Sequence, residues 1–100
     1  MKTYNKLVRD KIPEILDKKG VLYEKRIANN EEYKIELIEK LHEEIQEFSE
    51  LGDIEELADI VEVVEAFKKL PEYSNLHNIV NKKREEKGGF DERIILKGEK

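Results

Sequence analysis

Residues 41–70 read LHEEIQEFSE LGDIEELADI VEVVEAFKKL, and two apolar repeats of helical period meet there at Leu51-Gly52-Asp53. On a wheel turning about 100° per residue, Leu37, Ile38, Leu41, Ile45 and Phe48 cover an arc of roughly 100°. Glu44 falls about 20° beyond one edge of that arc and Glu47 about 80° beyond it. After the break, Leu57, Ile60, Val61, Val63, Val64 and Phe67 form a broad apolar face. Glu56 lies inside that face, between Val63 and Phe67, and Asp59 sits beside Val63, between Ala66 and Leu70. Glu55, Glu62 and Lys69 take the polar side. Burying an ionised carboxylate costs several kcal/mol unless something pairs with it, so acids on an apolar face need a reason.

A connection as short as Gly52-Asp53 predicts an antiparallel helix hairpin, about 30–51 and 54–70. Counting outward from the break, Glu47 matches Glu56 and Glu44 matches Asp59, and residues three apart on a helix are neighbours. The hairpin would therefore gather all four acids. Two unit charges about 4 Å apart repel by roughly 4 kcal/mol at an effective dielectric near 20. Such a set calls for cations, and the lysines nearby in sequence are expected on other faces. All-oxygen ligands select a hard ion, Mg²⁺ or Mn²⁺. Magnesium leaves positions for water and phosphates, which makes an acidic pocket a phosphate site. Two plainer uses compete. Asp53 and Glu56 fit a helix-start pattern, and Glu44 with Glu47 alone would be a solvated helix edge.

Outward from this centre, Asp10 is expected to cap a short helix with Pro13 in its first turn and Gly20 as its stop. Asn29 or Asn30 caps the long helix, and Pro71 ends the third. A fourth starts near Ser74, with Leu76, Ile79 and Val80 as its apolar edge, and ends at Gly88-Gly89. The fold class expected is an all-α helical bundle around the hairpin. A small two-stranded β element from 21–28 and 90–96 would accompany it. Residues 1–100 read as one domain.

The composition narrows the function. The 100 residues include 43% charged and 38% hydrophobic side chains, with a net charge of −5 and no cysteine. Acidity argues against non-specific nucleic-acid binding, and the lack of cysteine removes disulfide and thiolate chemistry. No secretory leader is expected at the N-terminus, and no run approaches the ~18 apolar residues of a membrane span. A cytoplasmic domain is the expectation. So small a core makes a homo-oligomer, with a dimer favoured, a natural supplement to stability.

Glu43-Glu44-Ile45-Gln46-Glu47 followed by Glu56-Leu57-Ala58-Asp59 resembles the E-E-x-x-E … E-x-x-D signature of the all-α nucleoside triphosphate pyrophosphatases. That group includes MazG proteins, dimeric dUTPases and phosphoribosyl-ATP pyrophosphohydrolases. Residues 5–13, NKLVRDKIP, and 83–90, KREEKGGF, are similar to a short phosphoribosyl-ATP pyrophosphohydrolase-like subset. The resemblance implies Mg²⁺-dependent cleavage of a nucleoside triphosphate, or a related pyrophosphate-containing nucleotide, to a monophosphate and pyrophosphate. It also implies that Glu44, Glu47, Glu56 and Asp59 hold the metal and serve catalysis; the role of Glu43 stays open. Eight residues separate Glu47 from Glu56, fewer than in MazG itself, so MazG's substrate choice does not transfer. Lys6, Arg9 and Lys11, with Lys83, Arg84 and Lys87, are the candidate phosphate-binding groups; solubility is their plainer use. His42 and His77 read as surface residues. A non-catalytic helical self-association or protein-interaction module is the alternative, though it leaves the acids on the apolar face unexplained.

Overall fold

In a computed structural model that describes residues 5–99, Asn29 opens the longest helix. Its extended backbone (φ −74°, ψ 174°) lets the side-chain oxygen accept the Glu32 backbone N–H at 2.9 Å, satisfying one of the donors a helix start leaves open. Four α-helices follow in order among the described residues. They are α1 (Ile12–Lys18), α2 (Asn30–Leu51), α3 (Ile54–Lys68) and α4 (Leu76–Lys87), with a 3-10 turn at Pro71–Tyr73 before α4. The chain is thus all-α. The described part of it contains no helix long and apolar enough to cross a membrane.

Two compact units divide it, one through Phe67 and the other from Lys68 onward. In the first, α2 stops at Gly52, whose φ of 65° lies in the left-handed region. Glycine enters that region without the Cβ penalty other residues meet, and its N–H closes on the Phe48 carbonyl at 2.8 Å. Only Asp53 then separates the cap from α3. In the second unit, Leu70 is extended (ψ 135°) ahead of Pro71, because proline disfavours helical backbone in the residue before it. The third helix therefore ends at Lys68, two residues short of expectation. The α4 helix ends at Gly88, as its glycine pair predicts, with the Gly88 N–H on the Arg84 carbonyl.

Three local expectations are corrected. Lys11, not Asp10, is the residue before α1, and it makes no side-chain cap; Pro13 near the helix start already lacks the N–H that a cap would satisfy. Residues 21–28 and 90–96 are irregular, and no strand occurs among the described residues. Leu22 is 97% exposed, Ile27 93%, Ile95 92% and Leu96 91%, so neither segment has the packed apolar face on which a two-stranded element depends. The third correction concerns the buried side of α2. The apolar arc predicts burial of Ile38 and Ile45, yet both are exposed, while Leu37 and Glu44 are buried and Lys40, Leu41, Glu47 and Phe48 are half-buried. The covered stripe is thus turned toward the acids. The α3 helix behaves alike: Val63 is buried, Glu56, Asp59, Ile60, Val64 and Phe67 are half-buried, and Leu57 and Val61 are exposed.

Candidate carboxylate site

Glu44 is the only charged side chain buried among the described residues, at 5% exposure. It stands seven residues, close to two turns, after the buried Leu37, which puts it on the same covered stripe of α2. One carboxylate oxygen, Oε1, lies 3.3 Å from Lys40 Nζ, one turn back on the helix. The other, Oε2, is sealed from solvent and has no hydrogen-bond partner. Burial pushes the Glu44 carboxyl above its ordinary value; Lys40 pulls against that, and the charges of Glu47 and Asp59 add to it. An orphaned oxygen on a desolvated carboxylate is costly to keep, and its neighbours here are themselves acids.

The other side of the cluster repeats the pattern. Oε1 of Glu56 is also buried and unpartnered. A hydrogen bond shared with the Asp53 carboxyl, then desolvation, then the charges of Asp53, Asp59 and Glu55 push Glu56 up to about 7. Two carboxyl groups this close hold one proton between them in preference to two negative charges. The helix-start pairing of Asp53 with Glu56 therefore exists, but as an acid–acid contact. Electrostatic coupling runs from Glu47 to Glu44, from Glu44 to Asp59 and from Asp59 to Glu56. All four acids selected from sequence share one neighbourhood of the first unit. Among the described residues no three of them converge into a preformed metal cluster.

Two cations already stand among these acids, against the expectation that nearby lysines face elsewhere. Lys40 reaches both Glu43 Oε2 at 3.4 Å and Glu44 Oε1; three- and four-residue spacing on a helix brings such side chains together. Arg9, from the irregular segment before α1, donates from Nη2 to Asp59 Oδ1 at 2.6 Å. Lys6 of the same segment donates to Glu43 Oε1 at 2.7 Å, and Lys6 holds Glu43 below the usual carboxylate range. Two of the expected phosphate-binding groups are thus placed on carboxylates. Glu43, whose role sequence left open, anchors the N-terminal segment to α2. The i, i+3 spacing signals the Lys40–Glu43 pair, whereas the Lys6–Glu43 contact, 37 residues apart, has no local signal.

A cleft of about 370 Å³ opens beside Lys40 and Glu43, lined also by Asn5, Lys6, Leu7, Glu36 and Glu39. Lys11 is exposed beside α1. Lys83, Arg84 and Lys87 lie exposed on α4 in the second unit. His42 and His77 are exposed, as expected. Arg26 and Glu32 form a separate ion pair near the start of α2.

In kind, though its members do not converge on one point, the donor set suits a hard divalent cation. It is all oxygen, it carries more negative charge than Arg9 and Lys40 neutralise, and two of its oxygens are buried without partners. Compared with known proteins, the chain matches no family, no curated protein and no solved structure.

Proposed function

We propose that this chain is a Mg²⁺-dependent nucleotide pyrophosphohydrolase that cleaves a nucleoside triphosphate, or a related pyrophosphate-containing nucleotide, to a monophosphate and pyrophosphate. In this reading α2 and α3 form an antiparallel hairpin, and Glu44, Glu47, Glu56 and Asp59 hold Mg²⁺, or Mn²⁺ in its place. The observation that carries it is Glu44: a buried carboxylate with an unpartnered oxygen, repelled by Glu47 and Asp59. The resemblance of residues 43–59 to the all-α pyrophosphatase signature supplies the reaction.

Bound there, the cation supplies charge neutralisation on the phosphates and acidification of water. The chain's own residues do the rest. Glu44, fixed by Lys40 and by burial, orients the acidic set. Glu56 is raised to about 7 by its hydrogen bond with Asp53 and by desolvation, so a bound cation would have to displace the proton the two carboxyls share. A carboxylate of the set not fully used as a ligand would take the proton of the water whose oxygen adds to phosphorus as the phosphoanhydride bond breaks. Lys6 and Arg9 are close enough to the acids to meet a polyphosphate, and guanidinium geometry suits phosphate oxygens. Lys11, Lys83, Arg84 and Lys87 remain weaker candidates for that task.

We propose self-association as well, a dimer in the first place. Only Leu37 and Val63 are buried apolar side chains among the described residues, while Ile38, Ile45, Leu57 and Val61 are exposed on α2 and α3. A second copy would cover that surface. An intracellular setting accords with a chain that carries no cysteine. The same exposed surface also favours the alternative, a non-catalytic interaction module. Incubation with a panel of nucleoside triphosphates and Mg²⁺, read by phosphorus NMR, separates the two. Monophosphate and pyrophosphate, formed with Mg²⁺ and not with EDTA, support the enzyme. Diphosphate and orthophosphate would mean cleavage at the wrong bond, and no product from any substrate would favour the module.

A further inference from the structure

The N-terminal segment crosses to both halves of the acidic cluster. Lys6 is tied to Glu43 on α2, and three residues later Arg9 is tied to Asp59 on α3 at 2.6 Å. The two contacts differ in consequence. Glu43 is outside the four acids proposed to hold the metal, so Lys6 can keep it while the site is loaded. Asp59 is inside that set, and its Oδ1 already has a charged donor. A divalent cation that takes this oxygen must compete with the Arg9 guanidinium for it.

Resting on the metal-site reading above, we infer that Arg9 is an exchangeable counter-cation of the site. It holds Asp59 until a divalent cation displaces it, and once displaced it serves as a ligand for the polyphosphate that the cation brings. The Lys6–Glu43 tether keeps the released side chain beside the cluster. Arg9 is 55% exposed and Asp59 35% exposed, so the pair is weak enough to open: exposed ion pairs contribute at most about 1 kcal/mol. The guanidinium carries five donors in a rigid fork that matches phosphate oxygens. Arg9 thereby couples cation binding to polyphosphate binding and favours a polyanion over a neutral ligand.

The signature is a pair of opposite effects from one substitution. Arg9→Gln removes the competitor, so Mn²⁺ titrated without nucleotide and followed by electron paramagnetic resonance should bind roughly two- to fivefold more tightly than to wild type. A non-hydrolysable triphosphate analogue, measured by equilibrium dialysis at saturating Mn²⁺, should bind roughly tenfold or more weakly. Arg9→Lys should restore the competition with Mn²⁺ but only part of the analogue affinity, because an ammonium lacks the fork. A purely structural Arg9 would weaken both ligands together. Equal or weaker Mn²⁺ binding by Arg9→Gln, or undiminished analogue binding, overturns the exchange while wild-type Mn²⁺ binding leaves the four-acid site standing. Failure of wild type and variant alike to bind Mn²⁺ removes both.

Discussion

Replacing Glu44 by glutamine should make the protein more stable without metal and insensitive to metal, two changes of opposite practical sign. At 3.3 Å from Glu44, the Lys40 ammonium attracts it by about 5 kcal/mol at an effective dielectric near 20. The charges of Glu47 and Asp59 oppose that attraction. Repulsion offsets part of the attraction, and the desolvation of a side chain that is 5% exposed outweighs the rest, since the Glu44 carboxyl is raised with burial as the largest cause. Glutamine keeps the shape and discards the charge, while Lys40 keeps Glu43 as its partner at 3.4 Å. A gain of about 1 kcal/mol follows, or roughly 4–8 °C in Tm for a domain of this size, measured by circular dichroism in EDTA at pH 7.5. Wild type in Mg²⁺ at about 100 times its Kd should gain about 2.7 kcal/mol, and Glu44→Gln should gain far less. A variant that melts below wild type in EDTA yet keeps the full Mg²⁺ shift would refute the reasoning, because Glu44 would then be a satisfied structural carboxylate.

Glu56 sets a pH dependence. Its folded pKa of about 7 exceeds its ordinary 4.5, so the folded state binds the proton more tightly. The stability this contributes is complete below about pH 4.5 and lost as pH rises through 7. Urea melts in EDTA should therefore show Glu56→Gln losing less stability than wild type over that interval, and Mn²⁺ binding to wild type should weaken as pH falls below 7. In the core, Leu37 is 2% exposed, and Leu37→Ala should cost about 2–5 kcal/mol in the same melts; a change below 1 would mean the α2 stripe is not the core. Ile45→Glu with Val61→Glu, on exposed positions, should convert a dimer to a monomer in light scattering without loss of helicity, and an unchanged mass would place the association elsewhere.

The helices were legible because their signals are local. Asn29, Gly52, Pro71 and Gly88 each act on the backbone within a few residues, and α2 and α4 stop at their glycines while α3 stops ahead of the proline. The acids were legible as breaks in periodicity, and the electrostatic coupling from Glu47 through Glu44 and Asp59 to Glu56 answers to their symmetry about the turn. What failed was whatever depends on which side of a helix is covered. A wheel ranks residues by hydrophobicity, so it favoured Ile38 and Ile45 over Glu44 and Lys40, although the covered side is set by what packs there. The Arg9–Asp59 contact, fifty residues apart in sequence, has no local signal. Residues 21–28 and 90–96 have apolar composition suited to strands, but strand formation needs a partner surface that composition does not supply.

Pyrophosphate release from nucleoside triphosphates with Mg²⁺, with wild type and Asp59→Ala run side by side, tests most directly whether the four acids hold a cation and cleave a phosphoanhydride. Release that requires Mg²⁺ in wild type and disappears in Asp59→Ala, with both proteins folded by circular dichroism, is the predicted result. Unchanged release in Asp59→Ala would contradict it, because the reaction would then run without a residue on which the proposed site depends.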